Sequence, residues 1–78
     1  MDKEFDQLRQ TLGQNVRSLR LGRGLSQEQL AFDAEIDRTY VSQIERAVIN
    51  PSLQVLYRVS TVLGVDVIQL LTPQNPES

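Results

Sequence analysis

From Phe5 onward apolar side chains return every third or fourth residue, through Leu8, Leu12, Val16 and Leu19, the period of one face of a helix. Arg9, Arg17 and Arg20 fall to one side of that stripe, and the spacing predicts a first helix over residues 3–22. Gly22 and Gly24 stop it, Gly24 being the better candidate for the left-handed position beyond its end. Ser26 with Gln29 forms a capping-box pattern. A second helix therefore starts at Gln27, ends near Ala34 and turns Leu30, Ala31 and Ala34 inward. Asp37 is an N-cap for a third helix holding Val41 and Ile44 inward, followed by a loop from Ala47 to Pro51. Ser52 caps a fourth helix, Leu53 to Leu63, which Gly64 terminates. Asp66 caps a last short helix through Leu71, and Pro73 and Pro76 mark a frayed tail over 72–78. The expectation is an all-α, five-helix single domain spanning 1–78, with its core in residues 5–71 and neither internal repeat nor linker.

Composition narrows the chemistry. A chain of 78 residues, 40% hydrophobic with two Phe, two Tyr and no Trp, supports one modest core. Without cysteine or histidine, disulfide frameworks, the familiar Cys/His zinc sites and His-based triads are excluded. Apolar runs fall short of the roughly 18 residues of a membrane span, and Met1 to Phe5 has no export pattern, so the expected compartment is the cytoplasm. Asp33, Glu35 and Asp37 alternate like the start of a calcium loop, but Arg38 stands at its sixth position and Ile44 at its twelfth. Gly22-Arg23-Gly24 lacks the third glycine of a dinucleotide loop and follows a helix rather than a strand. Proline in Asn50-Pro51-Ser52 forbids glycosylation. No residue pair presents a nucleophile with its base. Neither enzyme activity nor a cofactor or metal is expected.

The net charge of -2 does not point to a polyanionic partner, but its distribution does. Arg9, Arg17, Arg20 and Arg23 follow one another with no acid between them, while Asp2, Glu4 and Asp6 precede and Glu28, Asp33, Glu35 and Asp37 follow. Seven of the eight cationic residues are arginine, whose planar fork suits phosphate and guanine edges. Two short helices joined around Ala34-Glu35-Ile36 have the layout of a helix-turn-helix unit, whose second helix can enter the DNA major groove. With Val41 and Ile44 inward, that helix turns Arg38, Thr39, Ser42, Gln43 and Arg46 outward. Each can hydrogen-bond to base edges or phosphates.

Leu25-Ser26-Gln27-Glu28-Gln29-Leu30-Ala31, then Ile36 through Arg46, then Asn50-Pro51-Ser52-Leu53 and Leu63-Gly64-Val65 together resemble the lambda-repressor-like (Cro/C1, XRE) helix-turn-helix family over residues 12–71. Phe32 after Leu30-Ala31, and the run Asp37-Arg38-Thr39-Tyr40-Val41-Ser42 with Ile44-Glu45-Arg46, most resemble the controller proteins of restriction-modification systems. The resemblance implies a transcriptional regulator of double-stranded DNA, acting on its own gene and an endonuclease gene. RNA polymerase would be a further partner of an activator. A phage-type repressor and an antitoxin-type autoregulator are the alternatives.

By that resemblance, Gln27 contacts the DNA backbone and steadies the side chain that opens the recognition helix. Arg38 and Thr39 meet base edges first, the arginine most simply through guanine O6 and N7. For Thr39 two roles stay open, a methyl against thymine or a hydroxyl serving as a second cap. Ser42, Gln43 and Arg46 continue along the same face, either reading bases or merely solvated. Tyr40 has two placements, satellite core or a hydroxyl on a phosphate. Arg17 lies near a phosphate or in solvent, whereas Arg9 and Arg23 read as plain surface charge. Asn50 and Ser52 head the fourth helix, where free backbone N–H groups seat a phosphate. Arg20 and Glu45 form a structural ion pair tying the first helix to the third. The chain departs from the family at Glu35 and Ala47, where glycine is common. Glu35 takes a turn position that favours positive φ, and a non-glycine there implies either mild strain or a slightly different turn that shifts the helix angle.

The last two helices carry an apolar surplus, from which a homodimer interface of Val67, Ile68, Leu71 and Leu56 is expected. The alternative use of the same residues is to complete a monomer core. Two copies would set their recognition helices about 34–36 Å apart on a palindrome.

Overall fold

The computed structural model describes residues 2–74, so Pro76 and the rest of the expected tail past residue 74 lie outside the described residues. The described chain is helical with no strand: α1 (Lys3–Gly22), α2 (Gln27–Ala34), α3 (Arg38–Glu45), α4 (Leu53–Leu63) and α5 (Val67–Leu71). These limits match the expected ones because local chemistry sets them. Ser26 accepts from the backbone N–H of Gln29 while the Gln29 side chain accepts from that of Ser26, a complete capping box, and Asp66 with Gln69 repeats the device on α5. Ser52 Oγ accepts from the N–H of Val55. Asp37 is the exception. It occupies the N-cap position of α3 with extended backbone, but its side chain makes no capping hydrogen bond. The exposed carboxylate remains in solvent and favours the helix only through its charge at the positive end of the dipole.

Each helix turns its apolar face inward. The core joins Leu12 and Val16 of α1, Leu30, Ala31 and Ala34 of α2, Val41 and Ile44 of α3, Leu56, Val59 and Leu63 of α4, and Leu70 of α5. The α1 stripe is only partly used, since Phe5 is half-buried and Leu8 exposed. Helix α1 packs on α3 and α5, while α2 packs on α3 and α4. At the crossing of α1 with α3 a Cβ added to Gly13 would lie 2.6 Å from the Ile44 carbonyl oxygen and 2.7 Å from that of Glu45. Only glycine lets the two backbones approach so closely.

Both turns flanking α3 use left-handed residues that are not glycine. Glu35 has φ 61° and Ala47 has φ 62°. The Glu35 conformation ends α2 with hydrogen bonds from the N–H of Glu35 to Phe32 O and from that of Ile36 to Ala31 O. Arg58 Nη1 donates to the Glu35 carbonyl at 3.4 Å, which fastens this turn to α4. Of the two alternatives open at Glu35, the structure takes the left-handed, strained one and not an altered turn, and Ala47 adds a second strained position.

Candidate DNA-binding face

Helix α3 is eight residues long, too short to hold its own shape in water, so its orientation depends on what grips it. Val41 and Ile44 are 0% and 2% exposed and anchor its inner face. Arg38, Thr39 and Arg46 are exposed and Ser42 and Gln43 half-buried on the other side, as the sequence predicts. The five form one polar row. Arg46 Nε donates to Ser42 Oγ at 3.2 Å, a bond one helical turn long that aligns the arginine along the row.

A chain of hydrogen bonds holds the row in place. Arg20 Nε donates to Glu45 Oε2 at 2.7 Å and Arg20 Nη2 to Glu45 Oε1 at 3.1 Å, a two-pronged bridge from α1 to the end of α3. The side chains are 7% and 4% exposed, respectively. Arg20 Nη1 also donates to the Leu25 carbonyl at 2.8 Å, so the buried guanidinium has partners on several edges. Glu45 Oε1 accepts a further bond from Gln27 Nε2 at 3.1 Å. The other end of that amide, Gln27 Oε1, accepts from Arg38 Nη1 at 3.3 Å. Charge thus alternates from Arg20 through Glu45 and the Gln27 dipole to Arg38. The result is a guanidinium held out at the exposed start of α3.

Around the row, the expected phosphate-facing residues are placed unevenly. Tyr40 is half-buried against the core, and its hydroxyl accepts from the backbone N–H of Ser52 at 3.3 Å. That contact binds the first turn of α3 to the head of α4. Ser52 donates its N–H to Tyr40 and accepts from the Val55 N–H through Oγ, which leaves its hydroxyl hydrogen to donate outward, and the Leu56 N–H bonds the Ser52 carbonyl. The N–H groups of Leu53 and Gln54 precede the first intrahelical bond and remain at the mouth of the helix beside exposed Asn50. Arg17 is exposed on α1.

Several expectations need correction. Leu56 is 8% exposed and belongs to the core of the single chain, because α4 turns it toward α1, where it lines a groove with Phe5, Leu8 and Leu12. It is not offered to a partner copy. Val67 and Leu71 are half-buried against the same core, whereas Ile68 is 74% exposed. Arg9 is not plain surface charge. It is half-buried, pairs with Asp6 and lies over the Phe5 ring at 5.3 Å from its centre. Arg23, although exposed, donates to the Leu63 carbonyl at 3.4 Å and closes the end of α4. Asn15 and Arg58, both passed over in the sequence, make long-range bonds whose partners no local pattern reveals.

Comparison with known proteins agrees with this geometry. A family model described as helix-turn-helix matches residues 16–70. The control protein C.BamHI of Bacillus amyloliquefaciens is 45% identical over 65 residues, covering 82% of this chain and 80% of that protein. The crystal structure of the restriction-modification controller protein C.AhdI from Aeromonas hydrophila superposes with a TM-score of 0.77 at 40% identity, over 80% of this chain and 94% of that one. SinR, the master regulator for biofilm formation, solved in complex with DNA, gives a TM-score of 0.75 at 42% identity, over 78% of this chain and 98% of that one. The chain belongs to the Cro/C1-type (XRE) helix-turn-helix family, and it is a DNA-binding transcriptional regulator, not an enzyme, close to the controller proteins of restriction-modification systems.

Proposed function

We propose that the protein is a controller of a restriction-modification system that binds palindromic operators as a homodimer and regulates its own gene and an endonuclease gene. The observation that carries this reading is the bonded series Arg20–Glu45–Gln27–Arg38, which aims an arginine fork at the leading end of a polar recognition row. Arg38, Thr39, Ser42, Gln43 and Arg46 read base edges, with Arg38 on guanine. Gln27, Tyr40, Asn50, Ser52 and Arg17 meet the phosphate backbone, joined by the open N–H groups at the head of α4. The Tyr40 hydroxyl accepts from Ser52 and still has its own hydrogen to donate to a phosphate oxygen.

Dimerisation is supported by the 74% exposure of Ile68 on α5, with Val67 and Leu71 beside it at half burial. One eight-residue recognition helix makes too few base contacts for useful specificity, and a second copy doubles them. No described helix is long and apolar enough to cross a membrane, which fits work beside the chromosome in the cytoplasm. An activating role adds RNA polymerase as a partner. Selection of bound duplexes from a random pool tests the proposal. The expected product is a palindrome with half-sites about one helical turn apart. A pool without two-fold symmetry, or with no enrichment, refutes it.

A further inference from the structure

Helix α5 has only five residues, barely one hydrogen-bonded turn, and cannot fix its own direction. Leu70, 0% exposed, plugs it into the core. Ile68, two residues away and about 200° around the helix, faces nearly the opposite way. Val67 and Leu71, half-buried beside it, rest on the same core, but apolar contacts of this kind are non-directional and set the tilt of so short a helix only loosely. The directional restraint is Asn15, a polar residue only 5% exposed in the middle of α1. Its Nδ2 donates to the carbonyl of Leu70 at 2.8 Å, to that of Thr72 at 2.9 Å and, more weakly, to that of Gln69 at 3.4 Å. The Gln69 carbonyl also accepts the capping bond from the Thr72 N–H at 3.4 Å and the Thr72 carbonyl a bond from Gln74 Nε2 at 3.1 Å, whereas the Leu70 carbonyl, at the last turn of the helix, relies on Asn15. One amide therefore clasps the whole C-terminal end of α5 against α1, across more than fifty positions of sequence.

We infer that Asn15 is a positioning residue for dimerisation: by clasping the end of α5 it sets the angle at which Ile68 meets the partner copy. This rests on the homodimer proposed above. The two recognition helices sit on opposite sides of the two-fold axis, so a small tilt at α5 is carried out to the DNA as a change in their separation. The contact then does more than stabilise the fold, because it makes the dimer selective for one half-site spacing.

The test compares wild type with Asn15→Ala by sedimentation equilibrium, and by fluorescence anisotropy on duplexes carrying one half-site or two at varied spacing. The variant raises the dimer dissociation constant by up to about tenfold, the ceiling reached when the order lost with one buried hydrogen bond is regained only on dimerisation, and binds a broader range of spacings. Its affinity for the single half-site stays at the wild-type value. In an Ile68→Asp background, which forms no dimer, Asn15→Ala still lowers the melting temperature but no longer alters binding to the palindrome. If Asn15→Ala melts earlier yet dimerises and selects spacing like wild type, Asn15 only staples the fold and the inference is overturned. A wild-type chain that stays monomeric on the palindrome overturns the dimer itself, which is evident before any variant is compared. Should Asn15→Ala not fold at the assay temperature, Asn15→Ser, with a shorter donor, takes its place, and the same outcomes decide.

Discussion

Replacing Glu45 with alanine removes the centre of the bonded series that holds α3. The carboxylate accepts two bonds from Arg20 and one from Gln27, and the Arg20 side chain is 7% exposed. Without Glu45 a guanidinium stays buried with only the Leu25 carbonyl to accept from it. Breaking a buried pair by removing one partner costs about 3–5 kcal/mol, most of it the penalty of an uncompensated charge. A domain of 78 residues has a total stability of roughly 4–12 kcal/mol, so the loss is a large part of the whole. At about 4–8 °C per kcal/mol, the melting temperature falls by at least ~12 °C. Urea unfolding followed by helical circular dichroism measures this, and the double replacement Arg20→Met with Glu45→Leu separates the causes. The double variant recovers most of the stability lost by Glu45→Ala, because no charge remains buried. A loss under about 1 kcal/mol for the single change, or simple additivity in the double, would refute the reasoning.

Further predictions follow from the same geometry. Ala47→Gly relieves a left-handed alanine and raises stability by about 1 kcal/mol, read as a rise of ~4–8 °C in melting temperature. Arg38→Ala relaxes preference at one base step by about 1–3 kcal/mol while binding to random duplex is kept; equal loss on selected and random DNA contradicts base reading. Arg17→Ala weakens selected and random duplexes alike and lowers the slope of log affinity against log salt by about 1, measured by anisotropy titrations.

How much of this could be read from the sequence depends on the range of the interaction involved. Helix limits were legible because Ser26, Ser52, Asp66 and Gly64 act on backbone groups within four residues of themselves. The polar row of α3 was legible too, since Val41 and Ile44 fix which side faces out. The Arg20–Glu45 pair came from the family resemblance and could not have been found by spacing, as its members are separated by 25 positions. Gly13 gave no signal at all, because its necessity comes from the carbonyls of another helix. Leu56 was misplaced for a different reason. Helix α4 is apolar around most of its circumference, and Leu53 at 73% and Tyr57 at 65% exposure stand outward while Leu56 stands in. Periodicity cannot choose a face when several are apolar.

Of the two placements the sequence left open for Tyr40, the structure shows the first, a ring on the core, and gives the hydroxyl a protein partner. The ring packs on the core while its hydroxyl receives the Ser52 N–H, so α3 is held at its first turn by α4, just as Glu45 holds its last turn to α1. An eight-residue helix gripped at both ends presents its outward polar groups with little freedom to swing. Tyr40→Phe keeps the ring and deletes only the hydroxyl. The lost hydrogen bond at 3.3 Å is partly exposed, and its removal costs about 0.5–1 kcal/mol of stability. The freed Ser52 N–H can take a phosphate oxygen in place of the lost hydroxyl donor, so total affinity for random duplex changes little. Selected DNA suffers more, because the start of α3 is looser when Arg38 meets its base. The measurement is the ratio of selected to random affinity, which falls for Tyr40→Phe. An unchanged ratio with a uniform drop in affinity would mean that the hydroxyl acts only as a phosphate donor and does not hold α3 in place.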